Sequence, residues 1–189
     1  MKAAGFINVP LVDHRFDVYR ELSKRVSSNN LVYLEYGVWQ GDSMREWLRL
    51  IDSPEAAFFG FDSFEGLPEE WNTKNPTGRF STNGRTPKIE DSRVSFVEGW
   101  FDDTVPRFEV PSHGQLIINI DADLYSSTRV VFQALEPEIA VGTLIYFDEF
   151  CDRNHELKAF AELIEGTGWS FEAVAATRDL AHVGFERVL

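Results

Sequence analysis

Short apolar runs alternate along the chain with stretches of helical spacing. Leu31 to Tyr36, Ala56 to Phe61, Arg93 to Val97, Gln115 to Ile120 and Thr143 to Phe147 are five or six residues each. They read as strands buried on both faces, where near-continuous hydrophobicity replaces strict alternation. Helices are predicted over 13–27, on the stripe Phe16, Val18, Tyr19, Leu22 and Val26, and over 44–51, with Asp42 or Ser43 as cap. A short helix near 101–108 follows, then one over 127–139 stopped around Pro137. A further helix over 154–165 carries Leu157, Phe160, Ala161 and Ile164 and is closed by Gly166 and Gly168. The tail alternates over 170–175 and 182–188, as a strand pair does.

Seven strands interleaved with helices define an α/β chain with a doubly wound, mostly parallel sheet and helices on both faces. The last pair has no helix between its strands, which predicts an antiparallel edge. No repeat or composition break divides the chain, so one domain over 1–189 is expected, with 1–30 as an N-terminal helical segment. The stretch Ser63 to Asp91 lacks periodicity and is punctuated by Gly66, Pro68, Pro76, Gly78, Gly84 and Pro87. A loop of that length inside a compact domain is usually functional or mobile, and its Phe64, Trp71 and Phe80 favour packing over something.

Charge removes several classes of function. Thirty-one acidic against 18 basic residues give a net charge of -13 at pH 7, a field that repels nucleic-acid phosphates. The single cysteine, Cys151, excludes both an intramolecular disulfide and a zinc site of several thiolates. No apolar stretch approaches the roughly 18 residues a membrane span needs, and Asn8 and Pro10 interrupt the start too early for a secretory leader. A cytoplasmic protein without nucleic-acid or membrane partners is expected. A homo-oligomer is left open.

The chemistry is concentrated at the strand ends. Glu35, Asp62, Asp121 with Asp123, and Asp148 with Glu149 all lie at or just past the carboxyl ends of predicted strands, where open α/β sheets bind ligands. Gly37 to Gly41 forms a Gly-x-x-x-Gly turn and lacks the third glycine of a dinucleotide fingerprint. Asp62 lies 25 residues beyond Gly37, where a carboxylate can accept both hydroxyls of a ribose. Alone, such a turn is commonly just a turn, and such an Asp commonly caps a helix. Asp121, Asp123, Asp148 and Glu149 would repel one another unless a pKa shifted or a hard cation joined them, and oxygen-only ligands suit Mg²⁺.

The blocks Leu34-Glu35-Tyr36-Gly37-Val38-Trp39-Gln40-Gly41-Asp42-Ser43 and Gly60-Phe61-Asp62-Ser63-Phe64-Glu65-Gly66-Leu67-Pro68 together resemble a class I S-adenosylmethionine-dependent methyltransferase. With Glu98-Gly99-Trp100, Asp121-Ala122-Asp123-Leu124-Tyr125-Ser126-Ser127-Thr128 and Asp148-Glu149-Phe150, the chain resembles the macrocin O-methyltransferase family from about residue 31 to its end. The resemblance implies a Rossmann-like fold and methylation of a small-molecule hydroxyl, on a sugar, polyol or natural product. It implies that Glu35, Gly37 and Gly41 line the methionine part of S-adenosylmethionine, with Ser43 near its carboxylate. Asp62 would then hold the ribose, Ser63 with Glu98, Gly99 and Trp100 would lie near the adenine, and loop 63–92 would cover the cofactor. Asp121, Asp148 and Glu149 are implied as Mg²⁺ ligands and Asp123 as general base. The chain departs from the family in having Glu149 where an Asp is usual and in its short amino end.

Two other readings compete. A metal-dependent glycosyltransferase could use Asp121-Ala122-Asp123, but leaves the glycine turn and Asp62 unexplained. A non-catalytic S-adenosylmethionine-binding protein would keep the fold without turnover. The histidines carry no expected role: His155 reads as helix surface, and His14, His113 and His182 have no acidic or cysteine partner at ligand spacing. Tyr125, Trp39 and Trp100 read as packing or rim.

Overall fold

A computed structural model describes residues 9–189. The first eight residues of the expected N-terminal segment lie outside the described range. The strands are β1 (Leu11–Val12), β2 (Leu31–Tyr36), β3 (Ala57–Asp62), β4 (Val94–Glu98), β5 (Gln115–Ile120), β6 (Leu144–Phe147), β7 (Phe171–Thr177) and β8 (Val183–Arg187). The helices are α1 (Arg15–Ser23), α2 (Asp42–Leu50), α3 (Phe101–Thr104), α4 (Tyr125–Leu135) and α5 (Glu156–Thr167). All join one sheet of order β1-β7-β8-β6-β5-β2-β3-β4, in which every strand but β8 runs the same way.

β2 and β5 are buried at every position because each lies mid-sheet with helices on both faces. On one face Val32, Leu34, Ile118, Ile145 and Phe147 pack with Val131 and Phe132 of α4 and Phe160 of α5. On the other, Leu31, Tyr33, Ile117 and Tyr146 pack with Tyr19 of α1 and Trp47 of α2. Alternate residues of each strand thus feed two cores, which is why the sequence runs are apolar without a gap.

Local details differ from the pattern for identifiable reasons. The sheet has an eighth strand, because Leu11 and Val12 pair with Ala176 and Thr177. The antiparallel pairing is confined to the β7 end of the sheet, where β8 inserts between β7 and β6 rather than forming the border. Neither Asp42 nor Ser43 caps α2. The capping position is Gly41 at φ 79°, and Asp42 is already helical. α1 is shorter than expected, with His14 as its cap accepting the Phe16 amide at 3.2 Å. α4 yields at Pro137 to a 3₁₀ turn over Glu136–Glu138. Gly166 stays inside α5, and Gly168 alone, at φ 73°, ends it.

The direction of strand succession reverses between β2 and β5, which places a topological switch point at their carboxyl ends. A crevice forms there because the following loops leave in opposite directions.

Candidate active site

The loops after β2 and β5 meet at Gly37. Its φ is 94°, a region closed to most side chains, and a Cβ placed there would lie 1.8 Å from the Asp121 carbonyl oxygen. Glycine is required twice, for its angle and for its absent side chain. The loops keep the ladder running past the strands: Gly37 N–H donates to Phe61 O at 3.0 Å, Asp121 N–H to Tyr36 O at 2.9 Å, and Asp148 N–H to Ile120 O at 2.9 Å. The strand-end acids are therefore held by backbone.

Asp62 organises the turn. Its Oδ2 accepts the amides of Val38 and Trp39 at 2.9 and 2.8 Å, and Oδ1 accepts that of Phe64 at 2.7 Å. One lone-pair direction of Oδ1 is left for a ligand.

A cavity of about 520 Å³ opens above this rim. Gly37, Asp62, Ser63, Gly99 and Trp100 lie on its wall, and Asp121, Asp123, Asp148 and Glu149 lie on the same wall. Leu67, Pro68 and Trp71 of the long loop contribute as well, and Glu69 anchors that loop by accepting the Ser126 hydroxyl at 2.7 Å. Four predicted site residues stand off the wall. Glu35 is fully buried behind the glycine turn and takes the Tyr33 hydroxyl on Oε2 at 2.5 Å. Its Oε1 has no partner among the described residues. Burial pushes the Glu35 carboxyl up to about 8. Gly41 faces Pro87 and Ile89, buried Ser43 accepts the Tyr19 hydroxyl at 2.9 Å, and Glu98 is exposed at the end of β4.

The acids of the rim differ in charge state. Burial, then Asp148 and Asp123, raise the Asp121 carboxyl well above the carboxylate range. Asp123 is pushed to about 7 by burial and by Asp148, Glu149 and Asp62, and burial together with Asp148 also raises Glu149. Asp148 goes the other way. Burial opposes its charge, but His182, Tyr146 and Arg15 hold it below its ordinary value. Its Oδ1 receives the Tyr146 hydroxyl at 2.7 Å, with His182 Nδ1 at 3.1 Å and the Arg15 guanidinium at 3.4 Å.

Asp121, Asp123, Asp148 and Glu149 bring only oxygen donors to the cavity, the donor type that suits a hard divalent cation, but their side chains stand apart. Among the described residues no three His, Cys, Asp or Glu side chains converge as a ligand set. For the cofactor, the unpartnered Glu35 oxygen and the open Oδ1 direction of Asp62 fit a ligand bearing an ammonium group and hydroxyls.

Three residues at the site escaped the sequence reading. Arg15 reaches the cavity from α1. His182, which has no acidic partner in sequence, gains Asp148 through the fold. Glu156 is fully buried and accepts the amides of Ala122 at 3.2 Å and Glu149 at 3.0 Å. Its signal was present, because it shares a helical stripe with Phe160 and Leu163, where an acid is out of place.

A doubly wound sheet with a glycine turn, an acid closing the next strand and a carboxylate-lined crevice at the switch point is the Rossmann-like fold of methyltransferases. The family model for macrocin O-methyltransferases, TylF, matches residues 11–165, and the chain belongs to that family. It is 28% identical over 176 residues to the 8-demethyl-8-(2,3-dimethoxy-alpha-L-rhamnosyl)-tetracenomycin-C 4'-O-methyltransferase of Streptomyces olivaceus, covering 76% of this chain and 67% of that one. It is also 28% identical to the demethyldecarbamoylnovobiocin O-methyltransferase of Streptomyces niveus, over 72% of this chain and 60% of that one. The chain thus spans about 60 to 67% of the length of these relatives. The solved structure of the O-methyltransferase NovP shares the fold with a TM-score of 0.70 and 23% identity, over 93% of this chain and 78% of that one. Among the described residues no helix is long and apolar enough to cross a membrane.

Proposed function

We propose that the chain is an S-adenosylmethionine-dependent O-methyltransferase acting on a hydroxyl of a sugar or related small natural product. The observation that carries this is one cavity whose wall holds both the Gly37 turn with Asp62 and the four carboxylates Asp121, Asp123, Asp148 and Glu149. Asp62 holds the ribose, and Gly37, Ser63, Gly99 and Trp100 line the rest of the donor side. Glu35, behind the turn, offers its free oxygen to the methionine amino group. S-adenosylmethionine, when bound, supplies a methyl group activated by a sulfonium.

The protein must then align the acceptor and remove its proton. Asp123 takes the hydroxyl proton as the acceptor oxygen becomes the nucleophile, and its place beside Asp148 and Glu149 keeps it basic enough to do so. Asp121, Asp148 and Glu149 would hold Mg²⁺, which when bound lowers the pKa of a ligating hydroxyl. Arg15 neutralises part of the remaining charge on Asp148.

Thermal shift tests the donor assignment. S-adenosylhomocysteine at about a hundred times its Kd stabilises by roughly 2.7 kcal/mol, raising Tm by about 5–10 °C in a chain of this size. Uridine diphosphate with Mn²⁺, the ligand of a glycosyltransferase, should leave Tm unchanged, and the reverse result would reject the proposal. Asp62→Ala leaves three loop amides without their acceptor and removes the ribose contact. Calorimetry should then find S-adenosylhomocysteine affinity at least about tenfold lower, since hydrogen bonds to a charged acceptor contribute about 1.5–3 kcal/mol each. Unchanged affinity would remove Asp62 from the role.

A further inference from the structure

We infer that Glu156 is a positioning residue that fixes Asp123 through the backbone, by clamping together the two chain segments that carry the acidic rim. The inference rests on the reading of Asp123 as general base. Ala122 and Glu149 directly follow Asp121 and Asp148 at the ends of neighbouring strands, which pair Ile120 with Phe147. Their amides point at one buried side chain, Glu156, whose Oε1 accepts the first and Oε2 the second. No carboxylate of the rim itself joins these segments.

The clamp has a second jaw. His155, the residue before Glu156, accepts the Tyr125 amide on Nδ1 at 3.2 Å. Asp123 therefore sits between two amides, at 122 and 125, that are both held by the start of α5. Within the turn Leu124 N–H closes on Ala122 O at 2.6 Å, and Asp123 adopts φ 60°. Aspartate enters the left-handed region more readily than most side chains, and the start of α5 holds the backbone on either side of it there. Packing alone would put an apolar side chain at 156, in line with Phe160 and Leu163. The position instead holds a fully buried acid beside four others, and its only described hydrogen bonds join the two segments.

Glu156→Gln is the informative change, because a glutamine has one acceptor oxygen and turns an amino group toward the other amide. Amide hydrogen exchange should speed up at least about tenfold at Ala122 or Glu149 while the strands stay protected. Methyl transfer to methyl α-L-rhamnoside should lose roughly ten- to a hundredfold in kcat, since misplacement by about 1 Å has that cost. S-adenosylhomocysteine Kd should stay within about twofold. Acting through Asp123, the substitution should cost little further in an Asp123→Asn background. His155→Ala, which opens the other jaw with less risk to folding, should lower kcat in the same direction. Unchanged exchange at both amides, or an equal loss in the two backgrounds, would overturn the role. Full turnover in Asp123→Asn alone would bring down the base assignment and this inference with it. A turnover loss in Asp123→Asn with none in Glu156→Gln would overturn only the clamp.

Discussion

Asp123→Asn is expected to lower methyl transfer by about two to four orders of magnitude, the usual loss when a positioned base is removed. The substitution isolates chemistry from structure unusually well. Asparagine is close to aspartate in size, and among non-glycine residues both tolerate the left-handed region, so the φ of 60° at this position need not change. What disappears is the ability to take a proton. Single-turnover transfer from labelled S-adenosylmethionine to methyl α-L-rhamnoside measures the loss, and calorimetry with S-adenosylhomocysteine should show donor affinity intact. A variant with undiminished turnover would strip Asp123 of its part.

The second large effect is structural. Gly37→Ala is expected to destabilise the fold by at least about 3 kcal/mol and to abolish S-adenosylhomocysteine binding, because strain and overpacking act at one atom. The added carbon meets the backbone oxygen of Asp121, which cannot swing aside as the end of a side chain can. Either the glycine turn lifts off β5 or the Asp121 segment moves, and both open the crevice. Gly142 provides the contrast. Its φ of 89° is equally unusual, but nothing lies within 4 Å of its would-be Cβ. Gly142→Ala should cost only the backbone term, about 1–2 kcal/mol, and leave binding unaltered. Chemical denaturation of the two variants separates contact from conformation, and equal stabilities would contradict the account.

The core of the fold could be read from the sequence because strands covered on both faces must be apolar throughout. Leu31 to Tyr36 and Gln115 to Ile120 coincide with β2 and β5 to the residue. The acids closing β3, β5 and β6 were legible for the same reason, since a charge after such a run marks the point where the chain emerges. β1 was not, because two residues have no period to detect and take their strand partner, β7, from the far end of the chain. The insertion of β8 was hidden too: a strand pair in sequence says nothing of which member faces the rest of the sheet. Arg15 and His182 reach Asp148 across 133 and 34 positions of chain, and no local spacing encodes such an encounter. Glu156 does leave a local mark, an acid on the buried stripe of its helix.

Asp62 joins two stretches of chain that the sequence keeps apart. Its carboxylate secures the loop after β2, at Val38 and Trp39, and the first residues of the long loop, at Phe64. Phe64 in turn offers its carbonyl to the amides of Thr82 and Gly84 on the far limb of that loop. One carboxylate thus braces both banks of the cleft at once, so a substitution at position 62 would loosen the two together.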